Sequence, residues 1–447
     1  MKNTFTTNTI KRIVYLVCFI GLVLGSQNLI NFTVAEPSGN NANTMSTITF
    51  NTEWNQIYGG SHIEIAFSMI QTADGGFALA GFTESYDVGQ GDFWLVKTDA
   101  NGQAEWNQTY GGSLREWAFF MTQTTDGGYA LVGNTAAGNG DIWLVKTDSM
   151  GQHLWNQTFG GADFEEARSI IQTADGGYAI TGNTQSYGAG LIDLLLIKTD
   201  VNGSIEWNQT YGGALDEGFS SRSVIQTTDA GYLIAGNTES YAEAGEIWLI
   251  KTDINGSVEW DRNYVGTQKP TVIQTTDGGY AIGAGGYDST VQLIKTDTSG
   301  QVIWNQTLNG QLQTESPPVV QTADGGYVIG SDEIYLVKTD ANGQKEWEKE
   351  FGGGNTRSLV QTTDGGYVVA GNNYGINGGD MWLFKFNISE ITPTATTTTT
   401  SVSKATTTTS ESEATTATTA ESNPSFGLEL LILTLSLVLF ITRKRRR

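Results

Sequence analysis

Short apolar strands alternate with polar turns along the middle of the chain, from residue 48 to residue 388. In the first unit this pattern predicts four strands: Ala66 to Thr72, Phe77 to Phe82, Phe93 to Thr98 and Glu105 to Tyr110. The first three are mainly apolar, whereas the fourth alternates and places Trp106 and Tyr110 on the same face. Tight turns containing Asp and Gly separate the first strand from the second and the third from the fourth, as expected for two β-hairpins.

This unit recurs along the chain. A tryptophan followed by a polar strand marks each copy, at Trp54, Trp106, Trp155, Trp207, Trp260, Trp304 and Trp347. A Gln-Thr-x-Asp motif begins at Gln71, Gln123, Gln172, Gln226, Gln274, Gln321 and Gln361. A lysine ends the third strand at Lys97, Lys146, Lys198, Lys251, Lys295, Lys338 and Lys385. A four-stranded unit of this length is typical of a β-propeller blade, so seven copies predict seven blades.

The two ends of the repeat array complement each other. The array begins with a lone strand of the fourth type, Ile48 to Tyr58, and its last unit stops after the third strand, Met381 to Asn387. Pairing these strands would complete the last blade and close the ring without open sheet edges. The sequence therefore predicts an all-β, seven-bladed β-propeller with four-stranded blades, closed by its N-terminal strand.

The repeats resemble a family of secreted and surface propellers of bacteria and archaea. Its DGGY, KTDxNG and W…YGG motifs are present here as Asp126 to Tyr129, Lys97 to Gly102 and Trp106 to Gly112. The resemblance covers about residues 48 to 387 and implies a propeller within a surface protein. More distantly, Asp99, Gly102 and Trp106 are similar to the tryptophan-docking motif of quinoprotein propellers. That similarity implies blade-to-blade packing by the tryptophan and does not imply a quinone cofactor.

The N-terminal segment has the pattern of a targeting signal. Basic residues precede an apolar run from Ile13 to Leu24, and small residues follow it. Residues 1–35 are therefore interpreted as a secretory signal peptide and residues 36–47 as a linker, with an uncleaved membrane anchor as the alternative. Because the only cysteine, Cys18, lies in the apolar run, no disulfide or cysteine-based metal site is expected in the secreted part.

The C-terminal segment predicts attachment to the cell surface. Residues 389–425 are rich in threonine and serine and are interpreted as an extended stalk. Residues 426–442 are apolar and are interpreted as a transmembrane or sorting-signal segment, and the basic residues 443–447 as a cytoplasmic tail. This end also resembles the three-part sorting signals of archaeal surface proteins, with Pro424 to Phe426 at the position of their Pro-Gly-Phe motif. The expected location is the extracellular face of the membrane, anchored by the C-terminus.

Charge narrows the class of partner. The chain has a formal net charge of −23, and eight of its 24 basic residues lie in the two end segments. Because so acidic a middle repels phosphate backbones, a nucleic-acid partner is not expected. A surface glycan or an extracellular protein is the expected partner, alongside the membrane at the C-terminal anchor.

The recurrent aspartates offer only a weak calcium signal. The Asp-x-Asn-Gly turns resemble part of an ion-binding loop, but further acidic residues do not follow at the spacing that a calcium loop needs. These aspartates are therefore interpreted as turn-forming residues that bond their own backbone. The two histidines, His62 and His153, lie in different units and suggest neither a metal site nor a catalytic triad. Accordingly, no cofactor or metal is predicted.

The candidate ligand-binding residues lie on the face that carries the connections between strands two and three and between successive units. In most units the first of these connections is long and variable, which favours binding on a rigid scaffold. Acidic and tyrosine side chains recur there: Glu64, Tyr86, Asp92, Glu116, Asp141, Glu165, Tyr187, Asp193, Glu217, Tyr241, Glu246, Tyr374 and Asp380. One interpretation is that the carboxylates fix the loops. The other is a cation or carbohydrate site with tyrosines as stacking platforms.

These observations favour a binding, display or structural protein over an enzyme. The alternative is a carbohydrate-active enzyme on the same scaffold, in which paired carboxylates would hydrolyse a glycosidic bond. Modification is also expected, because four Asn-Gln-Thr sequons lie on the fourth strands, at Asn107, Asn156, Asn208 and Asn305. Polar ladders on a solvated strand are the alternative interpretation of these asparagines.

Overall fold

The computed structural model describes residues 32–35, 47–86, 89–136, 139–217, 223–241, 246–265, 270–285, 290–309, 316–373 and 379–391. Most of the predicted signal peptide and linker lie outside these residues, as do almost the whole stalk, the apolar segment 426–442 and the basic tail. Their assignments stay predictions. No helix within the described ranges is long and apolar enough to cross a membrane.

The described chain forms 29 strands and one 3₁₀ helix. The first blade contains β3 (Glu64–Gln71), β4 (Phe77–Thr83), β5 (Asp92–Thr98) and β6 (Ala104–Tyr110). The second contains β7 (Glu116–Gln123), β8 (Tyr129–Thr135), β9 (Ile142–Thr147) and β10 (His153–Phe159). The third contains β11 (Glu165–Gln172), β12 (Tyr178–Thr184), β13 (Asp193–Thr199) and β14 (Ile205–Tyr211). The fourth contains β15 (Ser223–Gln226), β16 (Tyr232–Thr238), β17 (Glu246–Thr252) and β18 (Val258–Tyr264).

The remaining blades have shorter inner strands or a composite sheet. The fifth contains β19 (Thr271–Gln274), β20 (Tyr280–Gly285), β21 (Thr290–Thr296) and β22 (Val302–Asn309). The sixth contains β23 (Val319–Gln321), β24 (Tyr327–Ser331), β25 (Tyr335–Thr339) and β26 (Lys345–Glu350), with the 3₁₀ helix Asp332–Ile334 between β24 and β25. The seventh contains β27 (Gly354–Gln361), β28 (Tyr367–Asn373), β29 (Asp380–Ile391) and the N-terminal strands β2 (Thr47–Tyr58) and β1 (Phe32–Ala35).

Each blade is an antiparallel sheet in which four strands are hydrogen-bonded in order, here called A to D from the innermost strand outwards. The A strands of neighbouring blades contact one another around the whole ring, from β3 through β7 to β27 and back to β3. The A strands therefore border the central channel and the D strands form the rim. The A–B and C–D turns share one face, called here the turn face, and the remaining connections share the opposite face, called the loop face. The predicted seven-bladed propeller is confirmed.

The closure of the ring is also confirmed. Strand β2 supplies the D strand of blade 7 and pairs with β29 from Tyr58 opposite Met381 to Thr47 opposite Ile391. Strand β1 pairs with the outer edge of β2 as a fifth strand. Because β2 and β29 come from opposite ends of the propeller sequence, their pairing joins the chain termini of the ring. Strand β29 continues past the expected boundary at residue 388 and ends at Ile391 on the turn face.

Tryptophans hold adjacent blades together. In all seven contacts the D-strand tryptophan approaches the aromatic ring that opens the B strand of the next blade, with centroids 5.7–6.3 Å apart. Trp155 also covers Gly203 in the next C–D turn, where an added Cβ would lie 2.6 Å from the indole ring. Trp347 lacks such a turn in blade 7 and packs edge-on against Phe50 of β2 instead, at 5.3 Å. The expected packing role of the tryptophans is therefore confirmed.

The turn face is stabilised by buried lysines. Lys97 is almost fully buried and contacts Asp74 at 2.8 Å and the carbonyl of Thr98 at 2.8 Å, and the equivalent lysines of the other blades pair with the equivalent aspartates. In the C–D turn, Asp99 Oδ1 accepts backbone N–H groups from Asn101 and Gln103, both at 2.8 Å. The aspartates thus bond their own turns, as the turn-forming interpretation predicted.

Candidate functional site

Four of the predicted glutamates are buried on the loop face, near the starts of the A strands. Glu64 and Glu165 begin A strands and are 0% exposed. Glu165 accepts hydrogen bonds from the Thr184 hydroxyl at 2.7 Å and the backbone N–H groups of Gly161 and Ser186 at 2.8 and 3.2 Å. Glu64 and Glu217 make the same three types of bond, and Glu116 accepts from Gly112. This arrangement is the one expected if the carboxylates fix the loops.

The aspartates at the start of the C strands face these glutamates across the blade boundaries. An added Cβ at Gly212 would lie 1.7 Å from Asp193 Oδ1 and 2.7 Å from Glu217 Oε2. An added Cβ at Gly59 would likewise meet the carboxyl groups of Asp380 and Glu64. At Gly111 it would meet those of Asp92 and Glu116. Gly59, Gly111 and Gly212, each the first glycine of a Gly-Gly pair, therefore leave space in which two carboxyl groups meet. We call these the seam pairs; each joins the C strand of one blade to the A strand of the next.

The third blade boundary shows why a seam pair needs a proton. Asp193 Oδ2 accepts the backbone N–H groups of Ala189 and Gly190 at 2.6 and 3.1 Å, whereas Oδ1 is buried and has no donor among the described residues. Burial is the largest cause of a raised pKa at Asp193. The backbone N–H groups of Gly190 and Ala189 lower the pKa, whereas the charge and hydrogen bond of Glu217 raise it further. Two ionised carboxylates repel, so the hydrogen bond forms only when one is protonated.

Other seams repeat this electrostatic pattern. Burial is the largest cause of the raised pKa of Asp380, and the charge of Glu64 adds to it. Burial likewise raises the pKa of Asp141, with a further contribution from the charge of Glu165. Glu246 lies half-buried at the start of β17. The candidate carboxylates thus come together in pairs at the blade boundaries rather than in a single cluster. No group of three or more potential metal ligands occurs among the residues that the structure describes.

Three of the predicted tyrosines are exposed on the loop face. Tyr86, Tyr187 and Tyr241 are 46–51% exposed. Their hydroxyls donate to the carbonyls of Gly59, Gly160 and Gly212 at 2.8, 2.9 and 2.6 Å. The rings of Tyr86 and Tyr241 also pack beside C-strand tryptophans, each at 5.3 Å. These contacts hold each ring in place while leaving part of it accessible, which suits a stacking platform. Tyr374 lies outside the described residues.

The N-glycosylation candidates occupy accessible positions. Asn107, Asn156, Asn208 and Asn305 are exposed on D strands. The oxygens of Asn107 and Asn156 accept from the indole N–H groups of Trp94 and Trp143 at 3.2 and 3.3 Å. Glycosylation at these four sequons stays a prediction.

A set of β-bulges on the channel wall was not predicted from the sequence. In blades 7, 1, 2 and 3 the A–B pairing shifts at the same place, so that one residue of the A strand has no partner opposite it. These residues are, in ring order, Arg357, Phe67, Phe119 and Arg168, here called the bulge series. Each lies four residues before the glutamine of the Gln-Thr motif, a spacing that could have revealed them.

Three members of the bulge series, Phe67, Phe119 and Arg168, contact one another along the ring of A strands. The Phe67 and Phe119 rings meet edge-to-face with centroids 5.2 Å apart, and the Arg168 guanidinium lies 5.8 Å from the Phe119 ring centre. Trp117 adds a third ring at 6.0 Å from Phe67, and Glu166 forms an ion pair with Arg168. All four side chains of the series are partly exposed on innermost strands. A polar and aromatic surface therefore borders one half of the channel.

Comparisons with known proteins support the fold. Neither protein-family models nor curated proteins give a match. Among solved structures, the WD40 domain of Pan2 from Neurospora crassa is similar with a TM-score of 0.53 and 10% identity, covering 78% of this chain and 97% of that domain. BamB from Moraxella catarrhalis gives a TM-score of 0.42 at 12% identity, covering 80% of this chain and 100% of that one. At these identities the Pan2 likeness shows a propeller fold and nothing about activity.

Proposed function

We propose that this chain is a cell-surface binding or display propeller that presents its loop face to a glycan or an extracellular protein. The observation that carries the proposal is the set of three tyrosines whose hydroxyls are held by glycine carbonyls while their rings stay about half exposed. The rings of Tyr86 and Tyr241 are held both at the hydroxyl and along one side, so they are preorganised contacts that lose little entropy on binding.

The direction of the last strand supports an outward orientation of this face. Strand β29 begins at the loop face and ends at Ile391 on the turn face. A C-terminal anchor would therefore lie on the turn-face side, with the loop face directed away from the membrane. Residues 392–425 could span at most about 115 Å when fully extended, which is enough to hold the propeller clear of the bilayer.

The buried carboxylates weigh against the alternative of a glycoside hydrolase. A catalytic acid and base must both reach the substrate oxygen or a water beside it. Glu64, Glu165 and Glu217 are fully buried, and backbone and hydroxyl donors already occupy their oxygens. These groups stabilise the loops from below, whereas the tyrosines reach the surface.

The test is to block each face separately. The exposed positions Tyr86 on the loop face and Asn101 in a C–D turn are replaced in turn by cysteine and labelled on intact cells with a bulky impermeant reagent. Binding to an array of neutral and acidic glycans and to extracellular proteins is then measured. We expect the label on Tyr86→Cys to reduce binding and the label on Asn101→Cys to leave it unchanged. The reverse result would contradict the proposal, and release of a cleaved glycan would identify an enzyme.

A further inference from the structure

The bulge series gives the channel wall a composition that differs from the rest of the propeller. A β-bulge re-aims a side chain, and bulges are common beside binding sites for this reason. Here four consecutive blades place a bulge at the same depth, and the residues selected are two phenylalanines between two arginines. The described A strands of blades 5 and 6 are shorter and pair without a shift. Among the residues that the structure describes, the bulge occurs in blades 7, 1, 2 and 3.

The arginines are unusual in so acidic a chain. The seven repeat lysines are used in ion pairs at the turn face, where they cannot meet a ligand in the channel. Arg168 is held by Glu166, which shows that a carboxylate fits on this wall. Arg357 makes no ion pair with the residues that the structure describes, and its buried Nε has no acceptor among them; the Nε of Arg262, on the outer strand β18, shares this second feature. Because burying part of a cation without an acceptor is costly, Arg357 is poised for an anionic group.

The phenylalanines supply the apolar half of the surface. Phe67 and Phe119 lie side by side between the two arginines in ring order, and each is partly exposed. The face of an aromatic ring carries partial negative charge and attracts the weakly positive C–H groups of a sugar ring. A guanidinium binds a carboxylate through two parallel hydrogen bonds. A ligand that satisfies both features has a sugar face and a carboxylate.

We propose that the bulge series is a binding site for an acidic saccharide, with Arg357 bound to its carboxylate and with Phe67 and Phe119 stacked against its sugar rings. This inference rests on the proposed function for the extracellular setting of the ligand, and it names the ligand class and a second part of the binding surface. Arg168 and Trp117 border the same site and extend it towards blade 3. A neutral glycan would leave Arg357 without an anionic partner.

The test uses the full-length protein and titration calorimetry with trigalacturonate, compared with neutral galactotriose. The variant Arg357→Gln removes the charge and keeps hydrogen-bonding groups. The matched control is Arg262→Gln, which removes the same charge from the outer strand β18. We expect trigalacturonate to bind more tightly than galactotriose, with Arg357→Gln weakening it about tenfold or more and Arg262→Gln leaving it unchanged.

Further variants separate this site from loss of folding and from the loop-face tyrosines. Phe67→Leu keeps apolar volume but removes the ring, so weaker binding at an unchanged melting temperature supports stacking. Unchanged binding by Arg357→Gln, equal binding of the two saccharides, or no binding of trigalacturonate overturns the inference. Displacement of the saccharide by polyglutamate, with polyglutamate binding more tightly at Arg357, would also overturn it in favour of an acidic peptide. If Tyr187→Ala abolishes glycan binding while Arg357→Gln does not, the proposed function survives and the channel site does not.

Discussion

Individual glycines set how closely the blades approach one another. In the C–D turn, Gly203 has φ of +78° and lies directly under Trp155 of the preceding blade. In the A–B turn of the same blade, Gly176 has φ of +89°, but an added Cβ there would meet nothing within 4 Å. Both positions need a left-handed backbone conformation, which glycine adopts without the steric cost of a Cβ. Only the first also needs an empty space for a packed indole ring.

These two glycines make a matched test of tryptophan docking. We expect Gly176→Ala to lower the free energy of unfolding by about 1 kcal/mol through backbone strain alone. Gly203→Ala should cost a further 1–3 kcal/mol, roughly, because the Trp155 ring must shift. Chemical denaturation of both variants measures the difference. Equal losses would show that the Trp155 contact with this turn contributes little.

At the scale of the element, charged groups at the two ends of the strands respond oppositely to pH. At the turn face, hydrogen bonds from Lys385 and Thr362 hold the pKa of Asp364 at about 2. Its contribution to stability is present above the ordinary carboxyl pKa of about 4 and is lost as pH falls towards 2. At the loop face, burial and Glu217 raise the pKa of Asp193. The folded protein therefore holds this proton more tightly than the unfolded chain does, and the stabilisation is lost as pH rises through the folded-state pKa.

The seam pair predicts that Asp193→Asn changes the response to pH. The amide keeps an oxygen for the N–H groups of Ala189 and Gly190 and presents an NH₂ group to Glu217, so no proton is needed. We expect a higher melting temperature near pH 8 than in the unmodified protein, and a smaller gain on acidification to about pH 5. Asp163→Asn, which removes a charge from an exposed position, is the control. A pH profile unchanged by Asp193→Asn would contradict a shared proton at this seam.

At the scale of the whole molecule, the ring is closed at one place, where strands β2 and β29 pair. Strand β2 contributes more than backbone pairing: Phe50 packs on Trp347 of blade 6, and Trp54 covers Gly102 and approaches Phe77 of blade 1. The Tyr58 hydroxyl donates to the Gly102 carbonyl at 2.5 Å. One strand therefore completes blade 7 and joins it to both of its neighbours.

Two truncations test this closure. Removal of residues 1–46 leaves β2 intact and deletes only β1 from the described sheet, so the melting temperature should change little. Removal of residues 1–58 also deletes β2, exposes the edge of β29 and leaves Trp347 uncovered. We expect this form to unfold at a clearly lower temperature, to aggregate and to be cleaved by protease near β29. Equal solubility and heat stability of the two truncated proteins would contradict closure by β2.

Much of the fold could be predicted because it depends on local and repeated patterns. Strand alternation, Asp-Gly turns and the tryptophan spacing predicted the blade, and the lone strand at one end with the missing strand at the other predicted closure. Even the seam pairs left a signal, since Asp92 and Glu116 are as far apart in sequence as Asp193 and Glu217. These carboxylates were candidate residues on the sequence alone, but their pairing was not predicted.

The sequence by itself determined the seven blades, the order of their strands and the strand that closes the ring, because each follows from hydrophobic periodicity within a unit or from counting units. Only the tertiary structure decided which carboxyl groups share a buried space and which side chains reach the channel. Asp193 and Glu217 meet because the start of the C strand of one blade lies beside the start of the A strand of the next blade. Arg357, Phe67, Phe119 and Arg168 align because a bulge shifts the register at the same point in four sheets. Strand periodicity does not specify a bulge, because a bulge arises from how each inner strand fits against its neighbours in the closed ring.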